Sequence, residues 1–147
     1  MAVILWDCGK TNYMKIYHLQ NDQRVFGRLV KRFPEGIGDA FHSLIETIGD
    51  DKRSYYGISK MDDKGSVLYW AAAEEKTAGE AEKYKCERLV IPNGDYVSET
   101  VSNWREKTDC IKDVFHEMMK DERADNTKPC IEWYYNNDEM LCLIKAK

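Results

Sequence analysis

The sequence predicts an α+β domain made of two copies of one unit, strand-helix-strand-strand, whose strands join in a single antiparallel sheet. Three observations carry that prediction. Apolar residues recur at helical spacing in two separate stretches, a pair of strand-like segments follows each stretch, and a further strand precedes each. At 147 residues the chain has room for one such domain with a proper core.

The first half spans about residues 13–75. A strand over 24–30 ends near Phe33-Pro34, and Gly36-Ile37-Gly38-Asp39 follows, with Asp39 as the predicted N-cap. Ile37, Ala40, Phe41, Leu44, Ile45 and Ile48 then make one apolar helix face, and Gly49 closes it. Strands over 54–59 and 66–73 flank Met61-Asp62-Asp63-Lys64-Gly65, which has hairpin-loop chemistry. Residues 76–85 are charged and lack a strong apolar face, so they read as a connector.

The second half, about 86–147, repeats the order. Residues 87–92 and 96–101 form a strand pair, or one strand broken at Asn93-Gly94. A helix carries Trp104, Thr108, Ile111, Val114, Phe115, Met118 and Met119 on one side. After the turn at 125–129, strands over 130–135 and 140–144 close the chain. Counting the N-terminal segment, the sheet has about eight strands. Both helices lie on one face, and the other face, with no helix to cover it, is where a ligand cleft is predicted.

Composition narrows the function classes. A net charge of −4 gives no support for direct nucleic-acid binding, and Arg28, Lys31 and Arg32 read as a solvated edge. The apolar run Ala2-Val3-Ile4-Leu5 is too short for a signal core or a membrane span, which predicts a cytoplasmic protein with no membrane partner. The five cysteines, Cys8, Cys86, Cys110, Cys130 and Cys142, are scattered and odd in number, so each reads as a packing residue and not as part of a disulfide framework. His116-Glu117-Met118-Met119-Lys120 lacks the second histidine of a zinc motif. No metal and no cofactor are predicted.

Within this frame three segments resemble one family. Residues 91–97, Ile-Pro-Asn-Gly-Asp-Tyr-Val, are similar to the entry into the second half of GyrI-like domains, the effector-binding domains of bacterial transcription activators. Pro129-Cys130-Ile131-Glu132-Trp133-Tyr134 resembles that family's P-x-x-E-x-Y strand, and Tyr55-Tyr56-Gly57-Ile58-Ser59 resembles its Y-G-I strand. The likeness covers about residues 13–147. It implies a cleft between the halves that takes lipophilic or cationic aromatic molecules, with Glu132 at the floor and Tyr134 beside it. Family members often carry a helix-turn-helix, for which residues 1–12 leave no room, so a stand-alone form or a separate protein partner is expected.

Strand alternation agrees with that site, because Cys130, Glu132 and Tyr134 share one face of their strand and Ile131, Trp133 and Tyr135 the other. Ile131 and Trp133 suit the helix-covered side, which leaves Glu132 and Tyr134 facing the open cleft. Tyr55, Gly57 and Ser59 share the pocket face of the matching strand, with Gly57 leaving space for ligand. Either Tyr69 or Trp70 joins them, and adjacency forbids both. A carboxylate among apolar walls favours a cationic ligand, aided by cation–π attraction of about 0.5–2 kcal/mol. The first reading is reversible capture for sensing or sequestration. The alternatives that the family resemblance implies are hydrolysis of reactive electrophiles, with Glu132 and Tyr134 as the catalytic pair, and a protein-interaction role such as gyrase inhibition. Ligand identity and oligomeric state are not encoded in any of these signals.

Overall fold

The computed structural model describes residues 14–147. Its first half runs Lys15–Leu19 (β1), Gln23–Leu29 (β2), Ile37–Ile48 (α1), Tyr55–Met61 (β3) and Val67–Glu74 (β4). A four-residue helix, Glu80–Lys83 (α2), lies in the connector. The second half repeats the series as Glu87–Ile91 (β5), Gly94–Ser102 (β6), Ile111–Met118 (α3), Cys130–Tyr134 (β7) and Glu139–Lys145 (β8). Residues 1–13, with Cys8 and the apolar run at 2–5, lie outside the described residues.

The strands form one antiparallel sheet in the order β1-β6-β8-β7-β3-β4-β2-β5. This order is symmetric about the β3–β7 pair, where Ile58 stands opposite Ile131 and Gly57 opposite Glu132. Each half lends its first strand to the other: β1 pairs with β6, and β5 with β2.

That exchange dictates the shape. β1 and β2 are six strand steps apart, which on a flat sheet would be roughly 29 Å. Only residues 20–22 join them, and four Cα–Cα steps reach at most about 15 Å. The sheet must therefore curl, and the short link between β5 and β6 demands the same. Tyr17 of β1 and Trp133 of β7, three strands apart in the sheet, accordingly have ring centres only 5.7 Å apart. The two links lie against each other, and Asn93 donates its backbone N–H and its side-chain amide to Asp22 Oδ1 at 2.8 and 2.7 Å.

Both helices pack on one face, as predicted. α1 covers Phe26, Tyr55, Tyr69, Ala71 and Ala73, while α3 covers Val97, Val101, Met140, Cys142 and Ile144. The helix-free face is the inside of the curl. Val25, Tyr56, Ile58, Trp70, Ile91, Tyr96, Ile131 and Leu143 pack there against one another, so this face buries itself without a helix. Among the described residues no helix is long and apolar enough to cross a membrane.

Local details depart from the sequence reading at three places. Asp39 sits in the first turn of α1, and Gly36 holds the N-cap position; Gly49 ends the helix in the left-handed region (φ 73°), its N–H bonded to the Ile45 carbonyl. The second helix begins at Ile111, since residues 104–110 form two short 3-10 turns. The N–H groups of Asn103 and Trp104 bond to the Asp138 carbonyl in the β7–β8 turn, at 2.5 and 3.3 Å, which ties this segment to the sheet. Cys110 is disulfide-bonded, against the reading of every cysteine as a packing residue, whereas Cys86, Cys130 and Cys142 are free.

The connector is also better anchored than its composition suggests. Glu80 accepts the N–H groups of Lys76 and Thr77 and pairs at 3.1 Å with Arg53, which is nearly buried. Tyr84 stacks on Phe26.

Two glycines separate sheet geometry from helix propensity. A Cβ at Gly27 would overlap backbone atoms of Ala71 and Ala72 on the neighbouring strand, and backbone cannot yield locally, whereas a Cβ at Gly38 in α1 meets open space. Gly27→Ala is predicted to destabilise the protein by about 1–3 kcal/mol. Gly38→Ala is predicted to be neutral or to stabilise by up to about 1 kcal/mol. Urea denaturation of the two variants checks both.

Candidate functional site

Glu132 stands at the middle of β7, on the axis relating the two halves. Its Oε1 accepts the Tyr69 hydroxyl at 2.6 Å and the Tyr134 hydroxyl at 2.7 Å. Its Oε2 accepts no hydrogen bond from a described residue, and among those residues no Lys, Arg or His forms an ion pair with it. The side chain is deeply set among protein atoms, yet part of its surface stays open, as on the floor of a cleft.

Burial raises the Glu132 pKa, and the two hydroxyls offset this in part by favouring the ionised form. Tyr69 and Tyr134 are both held well above the usual phenol range, first by burial and then by the neighbouring carboxylate. They therefore remain protonated donors. The same two influences push the Cys130 thiol up to about 11, so Cys130 is not an activated nucleophile.

Aromatic rings close around this centre. Phe41 of α1 meets Tyr69 and Tyr134 edge-on, with ring centres 6.4 and 5.7 Å away. Phe33, in the β2–α1 connection, stacks on Tyr69 at 5.5 Å. Trp104, in the β6–α3 connection, packs on Tyr134 at 4.7 Å. Each strand-to-helix connection thus lays one aromatic ring on one of the two tyrosines that hold Glu132. The Arg105 guanidinium lies 4.8 Å from the Trp104 ring centre.

Of the residues singled out from sequence, Glu132, Tyr134 and Tyr69 come together. Tyr55, Gly57 and Ser59 share their face, since they alternate along β3 opposite Tyr134, Glu132 and Cys130. Tyr55 is buried under α1 and donates its hydroxyl to the Asp50 carbonyl. At Gly57 a Cβ would overlap the Tyr69 hydroxyl and Glu132 Oε1, so the missing side chain makes room for that hydrogen bond.

Trp70 lies on the opposite face, inside the curl, where its Nε1 donates to Glu87 Oε1 at 3.0 Å. The choice between the adjacent aromatics therefore falls to Tyr69. The assignment of the β7 faces is inverted: Ile131 and Trp133 pack inside the curl, and Glu132 and Tyr134 lie on the helix side. The helices do not claim the most apolar side chains. Curling gives the sheet a second core, and that core takes Tyr56, Trp70 and Trp133.

Sequence reasoning missed Phe33 and Phe41 and set Trp104 aside as packing. A signal was present, because each half places an aromatic residue between its first long strand and its helix.

Comparison with known proteins bears on the fold. No family model matches the chain, and no curated protein matches it in sequence. Solved structures do match. A Vibrio cholerae integron cassette protein, VCH_CASS2, superposes with a TM-score of 0.70 at 14% identity, over 92% of this chain and 97% of that one. SAV2435, solved bound to tetraphenylphosphonium, gives 0.61 at 12% identity, over 91% and 93%. A putative transcription regulation protein from Staphylococcus aureus MU50 gives 0.58 at 11% identity, over 90% and 98%. At these identities the likeness is one of fold.

The raised Glu132 pKa has a definite sign in stability. Above that pKa the folded protein carries a desolvated charge that the unfolded chain does not. As pH falls through the raised value toward the ordinary 4.5, the folded state takes up the proton first, and the penalty is relieved. Glu132→Gln removes the penalty at all pH values. The variant is therefore predicted to be at least as stable as the native protein at pH 7, and its advantage to shrink on acidification. Urea denaturation of both proteins between pH 4.5 and pH 8 measures that difference.

Proposed function

We propose that this chain is a small-molecule-binding domain of the GyrI-like type, which captures a lipophilic, aromatic cation over Glu132 for sensing or sequestration. The observation that carries the proposal is the Glu132 carboxylate, deeply set, held by two tyrosine hydroxyls and without an ion-pair partner among the described residues. A desolvated charge of this kind is unfavourable in isolation. A bulky organic cation relieves it, because such an ion sheds its own hydration at little cost and brings its charge to the open side of the carboxylate. Phe33, Phe41, Tyr69, Trp104 and Tyr134 supply ring faces and edges for the apolar part. That SAV2435, a protein of the same fold, was solved with tetraphenylphosphonium supports a ligand of this class.

We read the site as one of capture, because none of the neighbouring hydroxyl and thiol groups is an activated nucleophile. The tyrosines stay protonated, the nearby Cys130 thiol stays unionised, and the carboxylate has the stable hydrogen bonds of a counter-ion.

Tetraphenylphosphonium is predicted to bind the native protein saturably and to be recovered unchanged. At a hundred times its dissociation constant it adds about 2.7 kcal/mol to stability. Glu132→Gln weakens binding roughly a hundredfold, about 3 kcal/mol, because the ligand's charge is then left unpaired. Trp104→Ala loses about 0.5–2 kcal/mol. Binding also releases a proton wherever free Glu132 is protonated, so affinity falls as pH drops below its raised pKa and Glu132→Gln abolishes that slope. Calorimetric titration at several pH values reads all of these. A native protein that shows no binding of tetraphenylphosphonium overturns the proposal.

A further inference from the structure

Beyond Tyr69, which α1 covers, the face that carries Glu132 continues outward as an apolar edge. Along β3 the alternation from Gly57 runs through Ser59 to Met61, and on β4 it runs from Tyr69 back to Val67. Ser59 pairs with Tyr69 and Met61 with Val67, which makes these four cross-strand neighbours on one face. Phe33 stacks on Tyr69 and widens the strip on the α1 side. Exposure rises along its length, from 2% at Tyr69 to 38% at Phe33, 41% at Val67 and 65% at Met61. Half of the exposed large apolar side chains among the described residues are thus collected at the outer end of the face that holds Glu132. Apolar side chains on the same face as a deep carboxylate match an amphiphile in both charge and polarity.

We infer that the strip takes the alkyl tail of an amphiphilic cation whose charged head sits over Glu132. The inference rests on the proposed cation site and adds a shape requirement to it. The length is set by the strand: Met61 lies four residues beyond Gly57, the partner of Glu132, which is an advance of about 13 Å. An extended alkyl chain advances about 1.3 Å per methylene, given carbon–carbon bonds of about 1.5 Å. The strip therefore accommodates about ten carbons, and methylenes past Met61 return to water. Compact cations such as tetraphenylphosphonium use the aromatic centre and leave the strip unused.

Alkyltrimethylammonium ions of four to sixteen carbons, each kept below its micelle concentration, test this by calorimetric titration. On the native protein, affinity is expected to rise roughly two- to fourfold per methylene up to about ten carbons and then level off. In the double variant Met61→Gln with Val67→Thr, both substitutions at exposed positions, the rise is expected to stop near six carbons. Tetraphenylphosphonium and butyltrimethylammonium should bind that variant as they bind the native protein. A rise that continues unchanged in the variant, or no dependence on chain length in the native protein, overturns the tail site while leaving the Glu132 site standing. If native protein does not bind tetraphenylphosphonium, the cation site falls, and the tail site with it.

Discussion

Two connections only two or three residues long decide most of this structure. β1 must reach β2, and β5 must reach β6, across six strand positions of the same sheet. A flat or gently twisted sheet cannot satisfy either link. Curling satisfies both at once, and the turn contacts between Asp22 and Asn93 lock the place where the links meet. From this one constraint come a self-buried inner face, two helices confined to the outer face, and a gap between those helices centred on the β3–β7 pair. The functional candidate lies in that gap.

The asymmetry of the gap is as informative as its symmetry. The axis between the halves passes through a cross-strand pair whose members are opposites in size and charge, Gly57 and Glu132. One half contributes the acid, and the other contributes the hole that lets Tyr69 reach it. A carboxylate on both sides would place two desolvated charges in contact, and a glycine on both sides would leave no charge at all. A repeated fold thus holds a single charged centre at one cross-strand pair. The connections preceding the helices keep the symmetry of the repeat, each setting an aromatic ring over one of the two tyrosines.

Buried polar groups elsewhere are handled differently. Arg53 and Glu80 are also nearly buried, but they hold each other, and Glu80 accepts two backbone N–H groups besides. That arrangement anchors the connector to the first half and leaves no charge unmatched. Glu132 has hydrogen bonds and no ion-pair partner among the described residues, so these two carboxylates differ in kind: one completes the fold, and the other is, in the function proposed above, the counter-charge for a ligand.

Much of this was legible in the amino-acid order. Helical spacing from Ile37 to Ile48, hairpin chemistry between Met61 and Val67, and alternation through Cys130, Glu132 and Tyr134 depend on neighbours in the chain, and local sequence alone determined the repeat, most of its strands and helices, and the set of residues that share the Glu132 face. Which way that face points was decided only by the tertiary structure. Period-two alternation sorts side chains into two groups without saying which group meets the helices, and the most apolar group, with Trp70 and Trp133, went to the inside of the curl. The joining of Phe33, Phe41 and Trp104 to Tyr69 and Tyr134 and the Arg53–Glu80 pair likewise depend on contacts between segments distant in sequence. Such contacts are fixed by how far a short link can stretch across a sheet, a constraint of three-dimensional reach that no pattern of neighbouring residues contains.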